Sequence, residues 1–221
     1  MKKFQLIDSP VLQYSPGRSG STLIAQILII LAHEVEKMHD YIDTDRPVVI
    51  SYRHPCDMFL SIWRIFEEID TVEDLNDQAK KIFFFQRKKI KHSINYVISQ
   101  YNILHQYYDS DKKNLLLLCY ERFFSDYDYT FNKLEAFFNI SIGQEIRESI
   151  IDQTSLKKNK NRAEKMKNFD EYDRESLIHG NHILTGEPGL WGEVIPLRLQ
   201  KKLLSKLDNE MIFYNRLLVN D

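Results

Sequence analysis

Only two cysteines occur in the 221 residues, Cys56 and Cys119, isolated and far apart. Such a pair supplies neither a disulfide framework nor a metal cluster, and it suits a reducing cytoplasm. No apolar run is long enough for a membrane. The longest, residues 22–32, is interrupted by Gln26 and falls short of the roughly 20 residues that a spanning helix needs. The opening "MKKFQLIDSPVLQYS" has no apolar stretch before Asp8, so no secretory signal is expected. Charge of one sign is also missing. Thirty basic residues against thirty-two acidic ones leave a net charge of −2, which argues against a general nucleic-acid binder but permits a local basic pocket. There is no internal repeat or low-complexity tract, and the length fits a single domain over residues 1–221.

What is present alternates between strand and helix. Residues 11–15 read as a short strand, 21–32 as a helix and 35–39 as another short strand. "RPVVISYR", residues 46–53, is a β-branched strand ended by His54-Pro55. A proline there pushes its predecessor to extended geometry and favours the first helical turn, so a helix should start at Pro55. Asp57 in that first turn suits the helix dipole. Helical spacing of Ile90, Ile94, Val97, Ile98, Tyr101, Leu104 and Tyr108 extends over residues 77–108. "NLLLLCYE", residues 114–121, is a nearly continuous apolar run, the mark of a strand covered on both faces. Helices are expected at 126–138, 144–152, 196–207 and 209–218. Residues 157–175, dense in Lys, Asn, Asp and Glu, read as a mobile surface segment. The pattern predicts an α/β fold, a three-layer sandwich around a central parallel sheet.

Between the first strand and first helix lies "SPGRSGSTLIAQIL", residues 15–28. A strand, a glycine-bearing turn and a helix start gather backbone N–H groups and a helix dipole around one point. Gly17 and Gly20 permit the tight turn, while Ser19, Ser21 and Thr22 add hydroxyl donors. Arg18 adds a charged fork suited to phosphate or sulfate oxygens. The loop is not a Walker A motif, because Gly20 is followed directly by Ser21 rather than by lysine. No hydrophobic strand ends in an Asp suited to Mg²⁺. The bland alternative is a polar turn that caps a core helix, with Ser21 or Ser19 as N-cap.

"GRSGST", residues 17–22, resembles the 5′-phosphosulfate loop of the sulfotransferases that use 3′-phosphoadenosine-5′-phosphosulfate (PAPS), in the Arg-Ser-Gly-Ser form of their carbohydrate and bacterial branches. "YRHPCDMFLS", residues 52–61, is similar to the family's 3′-phosphate motif, with Arg53 and Ser61 at the matching spacing. "KMHD", residues 37–40, resembles the stretch that supplies the catalytic histidine. The resemblance makes His39 the general base and Lys37 a sulfate-contacting cation, with His33 as a rival base. "LLLLCYERF", residues 115–123, is similar to the strand whose end contacts the adenine side, through Tyr120. "GNHILTGEPGLWGEV", residues 180–194, resembles the loop that closes over the 3′-phosphate, with Gly186, Gly189 and Trp191 in register. Leu184 and Thr185 replace that loop's Arg-Lys pair, leaving His182, Thr185 and the Gly186 backbone to serve. Leu23 stands where the cytosolic branch has tryptophan near the adenine, so base stacking must come from elsewhere.

The resemblance runs from about residue 11 to 191. It implies a P-loop-like sulfotransferase with PAPS as co-substrate and no metal, acting on a hydroxyl or amine of a carbohydrate or small-molecule acceptor. His39 would be the base, and Arg18 and Lys37 would stabilise the transferring group. Donor contacts would come from Arg18, Ser19, Gly20, Ser21, Thr22, Arg53, Ser61, Tyr120, His182, Thr185 and Gly186. The competing readings are a small-molecule kinase using ATP and a non-catalytic nucleotide-binding protein of the same fold.

Overall fold

A computed structural model describes residues 3–81, 88–110, 112–166, 169–180 and 183–221. In chain order the elements are β1 (Val11–Tyr14), α1 (Ser21–Leu31), β2 (Val35–Met38), β3 (Val48–Tyr52), α2 (Pro55–Phe66), α3 (Val72–Lys80) and α4 (Lys88–Asp109). There follow β4 (Leu115–Cys119), α5 (Tyr120–Phe123), α6 (Tyr127–Phe138), α7 (Gln144–Thr154), α8 (Leu156–Ala163), β5 (Tyr172–Asp173) and β6 (Ile178–His179). The chain ends with α9 (Leu190–Val194), α10 (Leu197–Lys206) and α11 (Asp208–Asn220).

The main sheet is wholly parallel, in the order β2-β1-β3-β4. Alternation along its strands divides the core in two. Leu12, Tyr14, Val48, Ile50, Tyr52 and Cys119 pack against α2, α3, α4, α10 and α11 on one face. Val11, Val49, Leu116 and Leu118 pack against α1, α6 and α7 on the other. Both faces are covered at β3 and β4, which is why those strands read as nearly continuous apolar runs. This is the expected three-layer α/β sandwich. Strand order reverses at β1, where the chain leaves first towards β2 and then crosses to β3. Open α/β sheets bind ligands at such a switch point, outside the carboxyl ends of the strands.

Proline opens α2 as anticipated, and His54 caps it by accepting the Cys56 N–H at Nδ1 (3.2 Å). Two expectations change. The single helical region foreseen over 77–108 is at least two elements, α3 and α4, with residues 82–87 outside the described ones. The segment 157–175 is not a loose surface run where it is described: it begins with α8, which buries Asn159 and Ala163. The reason lies across the fold at Gln26, fully buried in α1, whose Nε2 donates to Ser176 O (2.5 Å) and Asn159 Oδ1 (3.2 Å). Asn159 Nδ2 donates back to Gln26 Oε1 (2.9 Å). A buried amide needs such partners, so it anchors an otherwise polar segment.

Candidate functional site

The loop after β1 and the end of β3 flank the switch point. Beneath the loop lies a buried polar chain that joins the two strands. Gln13 Nε2 donates to Ser15 Oγ (2.6 Å), and Ser15 Oγ also accepts from the N–H and hydroxyl of Ser51 (3.0 and 2.8 Å). Ser19 joins it, donating from its hydroxyl to Pro16 O (2.6 Å) and lying 3.1 Å from Ser51 Oγ. Ser19 is fully buried. Its hydroxyl therefore shapes the loop from inside and does not face a ligand, unlike the donor role expected of it.

Above this base the backbone turns through left-handed geometry at Arg18 (φ 70°) and Gly20 (φ 80°). The N-cap of α1 is Gly20, not Ser19 or Ser21, and it makes no side-chain cap bond. The first-turn N–H groups thus keep the partial positive charge that draws anions. The loop is fastened from α4, where Gln100 Oε1 accepts the Gly17 N–H (2.9 Å).

A cavity of about 220 Å³ opens here, lined by Arg18, Gly20, Thr22, Arg53, Ser61, Tyr120, Thr185 and Gly186 among others. Ser21 is half-buried beside it and does not line it. Arg53 follows β3 directly and is 8% exposed. Its guanidinium lies 4.2 Å over the Tyr120 ring and donates to Arg18 O (3.4 Å) and Glu187 O (3.2 Å). Its Nε is buried and has no partner among the described residues. The Arg53 carbonyl accepts from the Tyr101 hydroxyl of α4 (2.6 Å). Ser61, two turns into α2, accepts from Arg18 Nε (2.9 Å), so the loop and the β3–α2 corner meet over one space.

The third wall is the segment 183–191. Asp57 holds it, accepting the N–H groups of Gly189 (2.7 Å) and Trp191 (3.2 Å) at its two carboxylate oxygens. Trp191 stacks on His54, with ring centroids 5.4 Å apart. The Tyr120 hydroxyl donates to Gly186 O, and the Thr185 hydroxyl accepts the Glu187 N–H (3.2 Å). Leu184 lines the cavity and is partly buried against the core on the α2 face of the sheet. His182 lies outside the described residues. The lining also includes apolar and aromatic side chains, Leu23, Phe124, Tyr127, Leu156 and Ile183.

Lys37 and His39 come from β2 and the residue just past it. Lys37 is half-buried and feels the charge of Arg18. His39 is exposed at the carboxyl end of β2, outside the cavity lining. His33 precedes β2, at the other end of the strand from the switch point. The segment after His39 is pinned by Tyr107 of α4, whose hydroxyl donates to Asp40 O (3.2 Å) and accepts the Ile42 N–H (3.1 Å).

Electrostatics point the same way. Burial, then repulsion by the Arg64 and Arg53 guanidiniums, pushes Arg18 down to about 9. Burial and the Arg18 charge lower Lys37 as well. Cations crowded to this degree are relieved by an anion, and the unpartnered Arg53 Nε and uncapped α1 offer further donors. The residues fit a ligand with more than one phosphate-like group and an apolar part.

Sequence reasoning missed four contributors. Tyr101 belongs to the apolar helical spacing of α4 and reads as core, while Gln100 and Tyr107 lie beside it with no signal of their own. Arg64 also lines the cavity, 4% exposed. Its position three residues after Ser61, on the same helix face, was the available signal.

Residues 38–203 match the family model for the sulfotransferase domain. No curated protein matches the sequence. Among solved structures, mouse sulfotransferase SULT7A1 complexed with PAP is similar over 96% of this chain and 87% of its own, at 13% identity and a TM-score of 0.58. Retinol dehydratase with androsterone and the inactive cofactor PAP covers 93% of this chain and 81% of its own, at 12% identity and TM-score 0.60. The same enzyme with retinol and PAP gives 0.61 at the same identity and coverage.

Proposed function

The chain belongs to the sulfotransferase domain family, and from that premise we propose that it moves a sulfuryl group from PAPS to a hydroxyl or amine of a small-molecule or carbohydrate acceptor. The observation that carries the donor assignment is the joining of the Arg18 loop and the Arg53–Ser61 corner over one cavity. A nucleotide phosphorylated at both its 5′ and 3′ positions would answer both anion sites. The structural neighbours crystallised with PAP, the desulfated donor, support the same choice.

PAPS, when bound, supplies the transferable sulfuryl group and a 5′-phosphate leaving group. The chain's part is positioning and charge stabilisation. The N–H groups at the start of α1, with Arg18 and Thr22, hold the 5′ end. Arg53 and Ser61 hold the 3′-phosphate, while Tyr120 keeps the Arg53 plane in place. Thr185 and the Gly186 backbone belong to the cover. Leu23, Phe124 and Tyr127, which also line the cavity, receive the base. His39 takes the proton of the attacking acceptor; histidine is the natural base near neutral pH. Lys37, lowered by burial and by Arg18, is the group able to give up a proton to the departing phosphate oxygen. Arg18 neutralises charge there and keeps its own proton at neutral pH.

The test is release of PAP from PAPS over a panel of sterol, phenol and sugar acceptors, with and without each acceptor. Acceptor-dependent release supports the reading. Tight PAP binding with no release across the panel would instead favour a non-catalytic nucleotide-binding protein.

A further inference from the structure

Asp57, Ser61 and Arg64 recur at four- and three-residue spacing and share one face of α2, and all three line the cavity. Each has a different situation. Asp57 is committed to the covering segment through both oxygens. Ser61 accepts from Arg18. Arg64 is a guanidinium almost wholly withdrawn from solvent, 4% exposed, donating from Nη1 to the Ile69 carbonyl (3.1 Å); burial lowers it, and the charge of Asp70 offsets that only in part. Burying a cation beside two others is costly unless the site expects negative charge. Of the two neighbouring guanidiniums that repel Arg18, Arg64 acts more strongly than Arg53. The covering segment supplies no cation at Leu184 or Thr185, although both positions line the cavity.

We propose that Arg64 is a donor-binding residue, forming with Arg53 and Ser61 a clamp for the 3′-phosphate in which helix α2, not the covering segment, carries the second positive charge. The proposal rests on the PAPS reading above. It deepens that reading by naming what sets selectivity for a 3′-phosphorylated nucleotide. A five-donor fork matches a phosphate with two oxygens at once, and Arg53 approaches from the strand end while Arg64 approaches from the helix face.

The experiment is calorimetric titration of the purified protein with PAP and with AMP, for wild type, Arg64→Met, Arg64→Lys and the double variant Arg64→Met/Leu184→Arg. Methionine keeps most of the stem volume. Lysine keeps the charge and a donor for the Ile69 carbonyl, guarding against a variant that does not fold. The expected result for Arg64→Met is a fall in PAP affinity of about 10- to 100-fold, the range for a lost charge-assisted contact, with a much smaller change in AMP affinity. Arg64→Lys should lose a smaller part of the preference, and the double variant should recover some of it by returning a cation from the cover. A purely structural arginine would lower both affinities together, or neither, and Leu184→Arg would rescue nothing; either pattern overturns the proposal. If wild type itself shows no preference for PAP over AMP, the PAPS reading fails first and the clamp falls with it. Preference kept in both Arg64 variants overturns the clamp alone.

Discussion

Gly20→Ala should destabilise the protein out of proportion to one methyl group. Gly20 has φ 80°, a region that costs an L-residue about 1–2 kcal/mol. A Cβ there would stand 2.6 Å from both Phe123 Cζ and Tyr120 Cδ2. These are atoms of packed rings, not the ends of flexible chains, and overpacking of this kind costs about 1–3 kcal/mol. Together the two effects amount to about 2–5 kcal/mol. For a chain of this length each kcal/mol lowers Tm by about 2–4 °C, so a fall of about 4–20 °C is expected. PAP affinity should drop as well, because the displaced Tyr120 ring carries the Arg53 guanidinium. The assay is thermal unfolding by circular dichroism, with Gly192→Ala as control. Gly192 lies inside α9 with open space at its Cβ position, so alanine there should be neutral or slightly stabilising. Equal melting temperatures for Gly20→Ala and wild type would refute the described loop geometry.

His39→Ala should lower turnover by about 10²–10⁴ and leave PAP affinity and Tm unchanged, since His39 is exposed; an unchanged rate removes it from the mechanism. Tyr107→Phe deletes the hydroxyl that bridges Asp40 and Ile42, so kcat should fall while PAP affinity holds, and a parallel loss of both would contradict a role confined to the His39 segment. PAP affinity should also decline as pH rises through about 9. Arg18 is pushed down to about that value in the free protein, and a bound anion favours its charged form. Binding near that pH should therefore take up protons, read as a buffer-dependent calorimetric enthalpy; proton release would reverse the sign and refute the argument.

The parts of the site legible in the sequence were those the backbone dictates. Gly17 and Gly20 mark a turn that only small residues permit, and their place between a strand and a helix fixes where the helix N-terminus points. Pro55 fixes the start of α2 and, through it, the direction of Ser61. Apolar continuity was equally informative: 115–119 is apolar throughout and 48–52 is broken only by Ser51, because both faces of the parallel sheet are covered there. Tertiary partnership left no such mark. Gln100 and Tyr101 look like ordinary positions of an amphipathic helix, yet they fasten Gly17 and the Arg53 carbonyl from across the fold. The charged run 157–175 concealed Asn159, because its buried partner, Gln26, lies in a distant helix within an otherwise apolar run, residues 23–31. Ser19 misled in the opposite sense. Its hydroxyl matched a ligand contact by type, but the carbonyl of Pro16 takes it inward.

A cavity that joins two phosphate sites, at Arg18 and at Arg53 with Ser61, should select a nucleotide phosphorylated at both ends. Calorimetric titration of the wild-type protein with PAP, AMP and ATP with Mg²⁺ should show clear preference for PAP over AMP and little gain from ATP with Mg²⁺. Binding of ATP with Mg²⁺ in preference to PAP would refute the second phosphate site and revive a kinase.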